Sequence, residues 1–165
     1  MKKNSLKLKR ISRFVFTILL LLGFISCKSS KPIVDNGSVP INNFAFNFVQ
    51  SDDLSSVLKK AERENKLVFV DVYTTWCLPC KMMDEDVFTH QATADVFNRD
   101  FISYKVNAEK SNGPIISFNY DVIKFPTLLF LDSKGKVLER KEGATYHSEL
   151  LALAKNALDQ VVIGD

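Results

Sequence analysis

Apolar and polar positions change period several times along this chain, and each change marks an element. In "NFAFNFV" the residues Phe44, Phe46 and Phe48 alternate with small or polar neighbours, a period of two that predicts a strand with one buried face. In "SDDLSSVLKKAEREN" the period lengthens: Leu54, Val57, Leu58 and Ala61 recur at helical spacing, with Ser51 or Asp52 placed to cap. "KLVFVDVY" is almost continuously apolar, as a central strand covered on both faces must be. Behind it a helical pattern runs from about Cys77 towards Asn98, with a break expected near Thr89. "FISYKVN" and "TLLFLD" read as two more strands, and "KVLERKEG" returns beside the latter through a turn at Asp132 to Gly135. "HSELLALAKNALDQVV" closes the pattern as an amphipathic helix. The order is β-α-β-α-β, a short irregular or helical connection, then β-β-α. It implies an α/β fold with parallel strands and one antiparallel hairpin.

The charge balance divides the chain. Residues 1–26 hold six basic side chains and no acid, leaving 16 basic and 19 acidic residues in the remainder. That remainder carries a net charge of −3 and no basic stripe, which argues against a nucleic-acid partner. The basic head leads into an apolar run, FVFTILLLLGFI, of roughly 12 residues, whereas a spanning helix needs roughly 20. Residues 1–26 are therefore expected to be a secretory signal. Cys27 follows directly, and "FISC" resembles the lipobox of bacterial lipoproteins, whose cysteine carries the lipid. That resemblance implies acylation at Cys27 and contact with a lipid bilayer, although Phe24 stands where the family prefers Leu. Two or three acyl chains hold a protein on a membrane where one does not. Residues 27–42, rich in Pro, Gly and Ser after the cysteine, read as a flexible tether to a domain over 43–165.

The other two cysteines, Cys77 and Cys80, form a CxxC behind the only tryptophan, Trp76. Such a pair can be a redox couple, half of a metal site, or two buried thiols. A structural zinc site needs a second pair of ligands, and His90 and His147 do not form one, so no metal is expected. A strand ends near Tyr73 and a helix begins near Cys77. This setting puts a thiol at a helix N-terminus, where free N–H groups favour the thiolate. Pro79 falls in the first turn, where its missing N–H costs little. Cys80 lies one turn on, with its sulfur on the same face. Cys77 is expected to be exposed and nucleophilic, and Cys80 more buried and resolving. Asp84, Glu85 and Asp86 read as a solvated helix face that acts on the thiolate only if it lies near it. His90 and His147 read as surface or capping residues.

"DVYTTWCLPCK" resembles the active-site segment of thioredoxins, whose usual core is WCGPC, and the likeness extends over about residues 43–162. It implies a thioredoxin fold, a central mixed sheet flanked by helices. By this resemblance Asp71 is the buried aspartate that handles a proton for Cys80 through water. "KFPTLLF" matches the cis-proline loop, so Pro126 lies beside the disulfide and Phe125 contacts client peptides. Lys105 matches a lysine near the aspartate, and Gly143 a glycine at the client surface, which Trp76 and Leu78 also line. "CKMMDEDVFTH" resembles the soluble thioredoxin-like domain of bacterial transmembrane disulfide reductases.

The expected activity is thiol–disulfide exchange without a cofactor, by a monomer tethered to the periplasmic face of a bacterial membrane. Its clients are disulfide-containing proteins, and an extracytoplasmic reductase needs a membrane electron donor. Leu78 replaces the usual Gly and leaves direction open. Strong oxidants of the superfamily it resembles often carry His between the cysteines, so the resemblance, with Pro79 kept and no His there, implies reduction over oxidation or isomerisation. A tethered module that binds clients or a metal-carrying partner is the reading of a different class.

Overall fold

The computed structural model describes residues 45–162. The expected signal over residues 1–26, the acylation of Cys27, the whole tether over 27–42 and Phe44 lie outside the described residues. The strands are β1 (Phe48–Val49), β2 (Leu67–Tyr73), β3 (Phe101–Asn107), β4 (Thr127–Leu131) and β5 (Val137–Glu142). The α-helices are α1 (Leu54–Glu64), α2 (Leu78–Met82), α3 (Gln91–Asp100), α4 (Gly113–Asn119) and α5 (His147–Val162). A π-helical turn, Met83–Val87, extends α2. Among the described residues no helix is long and apolar enough to cross a membrane.

The strands form one five-stranded sheet in the order β1-β3-β2-β4-β5. Strands β1, β3 and β2 run parallel, while β4 and β5 are antiparallel to their neighbours. Strand β2 is central because both of its faces are apolar. Leu67 and Phe69 enter one core with Phe97, Phe130 and Leu150, and Val68, Val70 and Val72 enter the other with Val57, Tyr104 and Leu129. Helices α3 and α5 cover the first face, and α1 and α4 the second. The first core is largely aromatic: the Phe69 ring lies 4.9 Å from Phe97 and 5.3 Å from Phe130, centroid to centroid. The mixed α/β sheet with flanking helices therefore agrees with the sequence pattern.

Two local expectations need correction, and a third, the helix break near Thr89 with His90 as a cap, agrees with the structure. The alternating phenylalanines do not make a long strand. The amides of Ala45 and Phe46 both donate to the Phe88 carbonyl, at 2.8 and 3.2 Å, and Asn47 donates to the Asn98 side chain. Those donors are lost to the ladder, so pairing begins only at Phe48, while Phe46 turns into the core. The cap of α1 is Asp53 rather than Ser51 or Asp52. Its carboxylate accepts from the amides of Ser55 and Ser56 at 3.0 and 3.1 Å. The helix after the cysteines passes through its π-turn and stops at Phe88, and α3 restarts behind His90, whose Nδ1 accepts from the Thr93 amide. His90 also stacks on His147 at the start of α5, with ring centroids 4.0 Å apart.

Candidate active site

Strand β2 delivers the chain to the site, and the residues after Tyr73 turn it into α2. Cys77 is the N-cap of α2 with extended backbone angles, and its Sγ accepts from the Cys80 amide at 3.1 Å. Pro79 occupies the first turn. Cys77 and Cys80 are disulfide-bonded, with Cα atoms 5.3 Å apart. Cys77 is not exposed: it is 3% accessible and Cys80 2%. The bonded Cys77 sulfur lies against the helix turn, accepting from the Cys80 amide, and the flanking side chains take the surface. Trp76 is 66% exposed and Leu78 76%.

Trp76 is held from two sides. Its Nε1–H donates to Glu109 Oε1 at 3.0 Å, and its ring meets Phe125 edge-on at 5.8 Å. The second contact brings the 125–126 loop against the cysteine segment. The Phe125–Pro126 peptide bond is cis. Gly143 follows β5, and its amide donates to the Pro126 carbonyl at 2.8 Å. Its φ of +83° lies in the region that side chains strain to adopt.

Asp71 sits on β2 opposite Lys105 of β3 and is 1% exposed. Its Oδ2 accepts from Lys105 Nζ, and its Oδ1 is buried without a partner in the described chain. Lys105 Nζ also reaches Asp84 Oδ1 at 2.8 Å and lies 4.2 Å from the Tyr73 ring centroid. Asp84 thus leaves the solvated face expected for it. It is one helical turn beyond Cys80, and the helix brings it to Lys105. Burial pulls the Lys105 ammonium down, but the carboxylates of Asp71 and then Asp84 outweigh this and hold it above its ordinary value. One cation cannot neutralise two carboxylates, and burial raises the Asp84 carboxyl despite Lys105.

That shift has a testable sign. A carboxyl raised in the folded chain adds stability below its unfolded value of 3.8 and loses it as pH rises through the folded value. Asp84→Asn removes this loss. Between pH 4 and 7 the urea midpoint of the variant is expected to gain on that of the parent. A difference that stays flat or reverses would contradict the burial of a charge at Asp84.

Of the residues marked by sequence, the structure gathers Cys77, Cys80, Trp76, Leu78 and Pro79 on one segment. Phe125, Pro126 and Gly143 approach it through the contact between Trp76 and Phe125. Asp71 and Lys105 form a buried pair behind this surface. Glu109 carries no local signal in the sequence, because its partner Trp76 is 33 residues away.

The geometry has counterparts in known proteins. A family model described as Thioredoxin-like matches residues 49–133. The chain belongs to the thioredoxin-like family. A thioredoxin from Mycoplasmoides gallisepticum is 31% identical over 107 residues, 62% of this chain and 100% of that protein. The thiol:disulfide interchange protein DsbD of Pseudoalteromonas atlantica is 29% identical over 111 residues, 65% of this chain. The match spans only 19% of that relative's length. A Bacteroides thetaiotaomicron protein solved in solution, named as a candidate disulphide-isomerase, is 41% identical with a TM-score of 0.62. That alignment covers 70% of this chain and 94% of the other. For a thioredoxin-like chain with a bonded CxxC at a helix start, the chemistry is thiol–disulfide oxidoreduction.

Proposed function

We propose that this thioredoxin-like protein reduces disulfides in extracytoplasmic client proteins. The Cys77–Cys80 pair at the N-cap of α2 is the observation that carries the reading. In the reduced enzyme the Cys77 thiolate attacks a client disulfide. A bond forms between Cys77 and one client sulfur, and the other client sulfur leaves as a thiolate. Cys80 loses its proton towards Asp71, through water, and attacks Cys77 Sγ. The second client sulfur leaves reduced, and two electrons have passed from the dithiol to the client. A membrane-borne dithiol donor then returns the enzyme disulfide to the dithiol.

The surrounding residues have distinct parts in this scheme. Lys105 holds the Asp71 carboxylate in place. Pro126 has no amide hydrogen, and the backbone at Phe125 pairs with an extended client segment. Trp76, Leu78 and Gly143 border that segment, and Pro79 fixes the turn between the sulfurs. Acylated Cys27 and the tether over residues 28–42 would keep the domain at the periplasmic face of a membrane. The name of the DsbD relatives, thiol:disulfide interchange protein, supports the exchange chemistry, and the setting rests on the lipobox-like segment before Cys27.

The Cys80→Ser variant tests the order of attack. It is expected to accumulate mixed disulfides joined through Cys77, visible as thiol-sensitive bands on a non-reducing gel. The double variant Cys77→Ser, Cys80→Ser is expected to show none. Trapping through the double variant would sink the scheme, and full biological activity in it would favour a binding module.

The Bacteroides neighbour favours isomerisation as the second reading. Equilibration with glutathione buffers separates the two. A reductase is expected near the thioredoxin end of the scale, at about −270 mV, and a value near −180 mV would favour the isomerase.

A further inference from the structure

The loop between α4 and β4 carries Ile123, Phe125 and Pro126, and its outer side faces the cysteine segment through the contact of Phe125 with Trp76. Its inner side is held by a strand that is remote in sequence. Arg140 of β5 donates through Nη1 to the Tyr120 carbonyl at 2.5 Å and through Nη2 to the Asp121 carbonyl at 2.9 Å. Glu142 backs the guanidinium, accepting from Nη2 at 2.9 Å, and pairs with Lys124 of the loop at 3.0 Å. The amide of Gly143 closes the row on the Pro126 carbonyl. Four successive points of the loop, at residues 120, 121, 124 and 126, are thus tied to one short stretch of β5.

A defect in the sheet aims this stretch. Leu131 pairs with Val137 and Phe130 with Glu139, so Leu138 is an extra residue in β5. A bulge of this kind reverses the facing of every residue beyond it. Glu139 and Lys141 consequently meet α5, through Gln160 and Glu149, and Arg140 and Glu142 point to the α4 side, where the loop lies. Had the ladder continued regularly from the Leu131–Val137 pair, Arg140 would stand opposite Leu128 and face α5. The loop also needs restraint, because Asp121 holds a φ of +50°. A fork of two N–H donors on consecutive carbonyls fixes both position and rotation, which a single charge does not.

We infer that Arg140 is a positioning residue for client docking, a latch that presents the 123–126 loop to extended peptides. This rests on the client-reducing function proposed above. The latch touches neither sulfur. It therefore bears on how well a peptide docks and not on the reactivity of the thiol. A small disulfide that needs no docking should not sense it.

The test compares Arg140→Gln with the parent full chain, purified in detergent, on two substrates and one structural readout. With insulin as the peptide disulfide, KM is expected to rise about tenfold with kcat within about twofold. With hydroxyethyl disulfide the rate is expected to stay within about twofold, and the glutathione equilibrium is expected not to move. Hydrogen exchange in the peptide spanning residues 120–127 is expected to quicken about tenfold, with that of β2 unchanged. An unchanged KM and unchanged exchange would overturn the latch, as would equal losses on both substrates. Should Arg140→Gln fail to fold, Arg140→Lys decides. It keeps the charge without the fork, so it is expected to raise KM for insulin by about threefold, and parental values would overturn the proposal. If the parent reduces neither substrate, the proposed function falls, and the exchange measurement still decides whether Arg140 holds the loop.

Discussion

Cys77→Ser is expected to lower disulfide reduction by about a thousandfold or more, with the fold retained. The expectation follows from the asymmetry of the pair. Cys77 is the N-cap, at the end of α2 where free N–H groups favour a thiolate, and it is flanked by exposed Trp76 and Leu78. The two sulfurs are about equally buried in the disulfide, so the asymmetry is one of position: Cys80 lies within the helix, away from the free N–H groups that favour a thiolate at Cys77. A serine hydroxyl stays protonated at neutral pH and lacks the nucleophilicity of a thiolate. It can still accept from the Cys80 amide, so the cap survives and the thermal midpoint should move by only a few degrees. Insulin turbidity and circular dichroism together provide the measurement. Parental activity in this variant would exclude Cys77 as the nucleophile.

Lys105→Met is expected to cost about 3 kcal/mol of stability at neutral pH, measured by urea unfolding. The methionine matches the lysine stem in length and keeps much of its packing against Tyr73 and Phe88. What disappears is the cation that bridges Asp71 and Asp84 among the described residues. Removing one partner of a buried pair leaves the other charge uncompensated, and here two carboxylates are left facing each other. The loss should shrink as pH falls from 7 to 4, since protons then neutralise what the lysine no longer does. The double variant Lys105→Met, Asp84→Asn should recover part of the loss, as one of the opposing charges is gone. A cost below about 0.5 kcal/mol, typical of a surface substitution, would show that the cluster is solvated.

Much of the fold is legible because its signals are local. A run such as Leu67 to Tyr73 has one physical solution, a strand buried on both faces, and the helices around it carry their own periodicity. The strand–turn–helix setting of Cys77 and Cys80 is legible for the same reason. What escapes depends on contacts distant in sequence. The period of two at Phe44, Phe46 and Phe48 is present, but the Phe88 carbonyl captures the amides that a strand would need. The accessibility of Cys77 depends on how its neighbours pack over the bonded sulfur, which the local pattern does not state. Asp84 lies among acids that read as a solvated face, and only the packing of its helix against β3 brings it to Lys105. The facing of Arg140 is set by a single extra residue in β5, which an alternation of charged side chains does not disclose.

The two borders of the sheet have a consequence for how this molecule meets others. Among the described residues, one border is β1, only two residues long. The other is β5, where Glu139, Arg140, Lys141 and Glu142 follow one another. A short border and a charged border both discourage a neighbouring chain from adding itself as a further strand. Under the client reduction proposed above, such borders would keep the chain from coaggregating with extended clients. Sideways association is poorly rewarded, and productive collisions are channelled to the end of the sheet, where Trp76 and Leu78 stand clear of the surface.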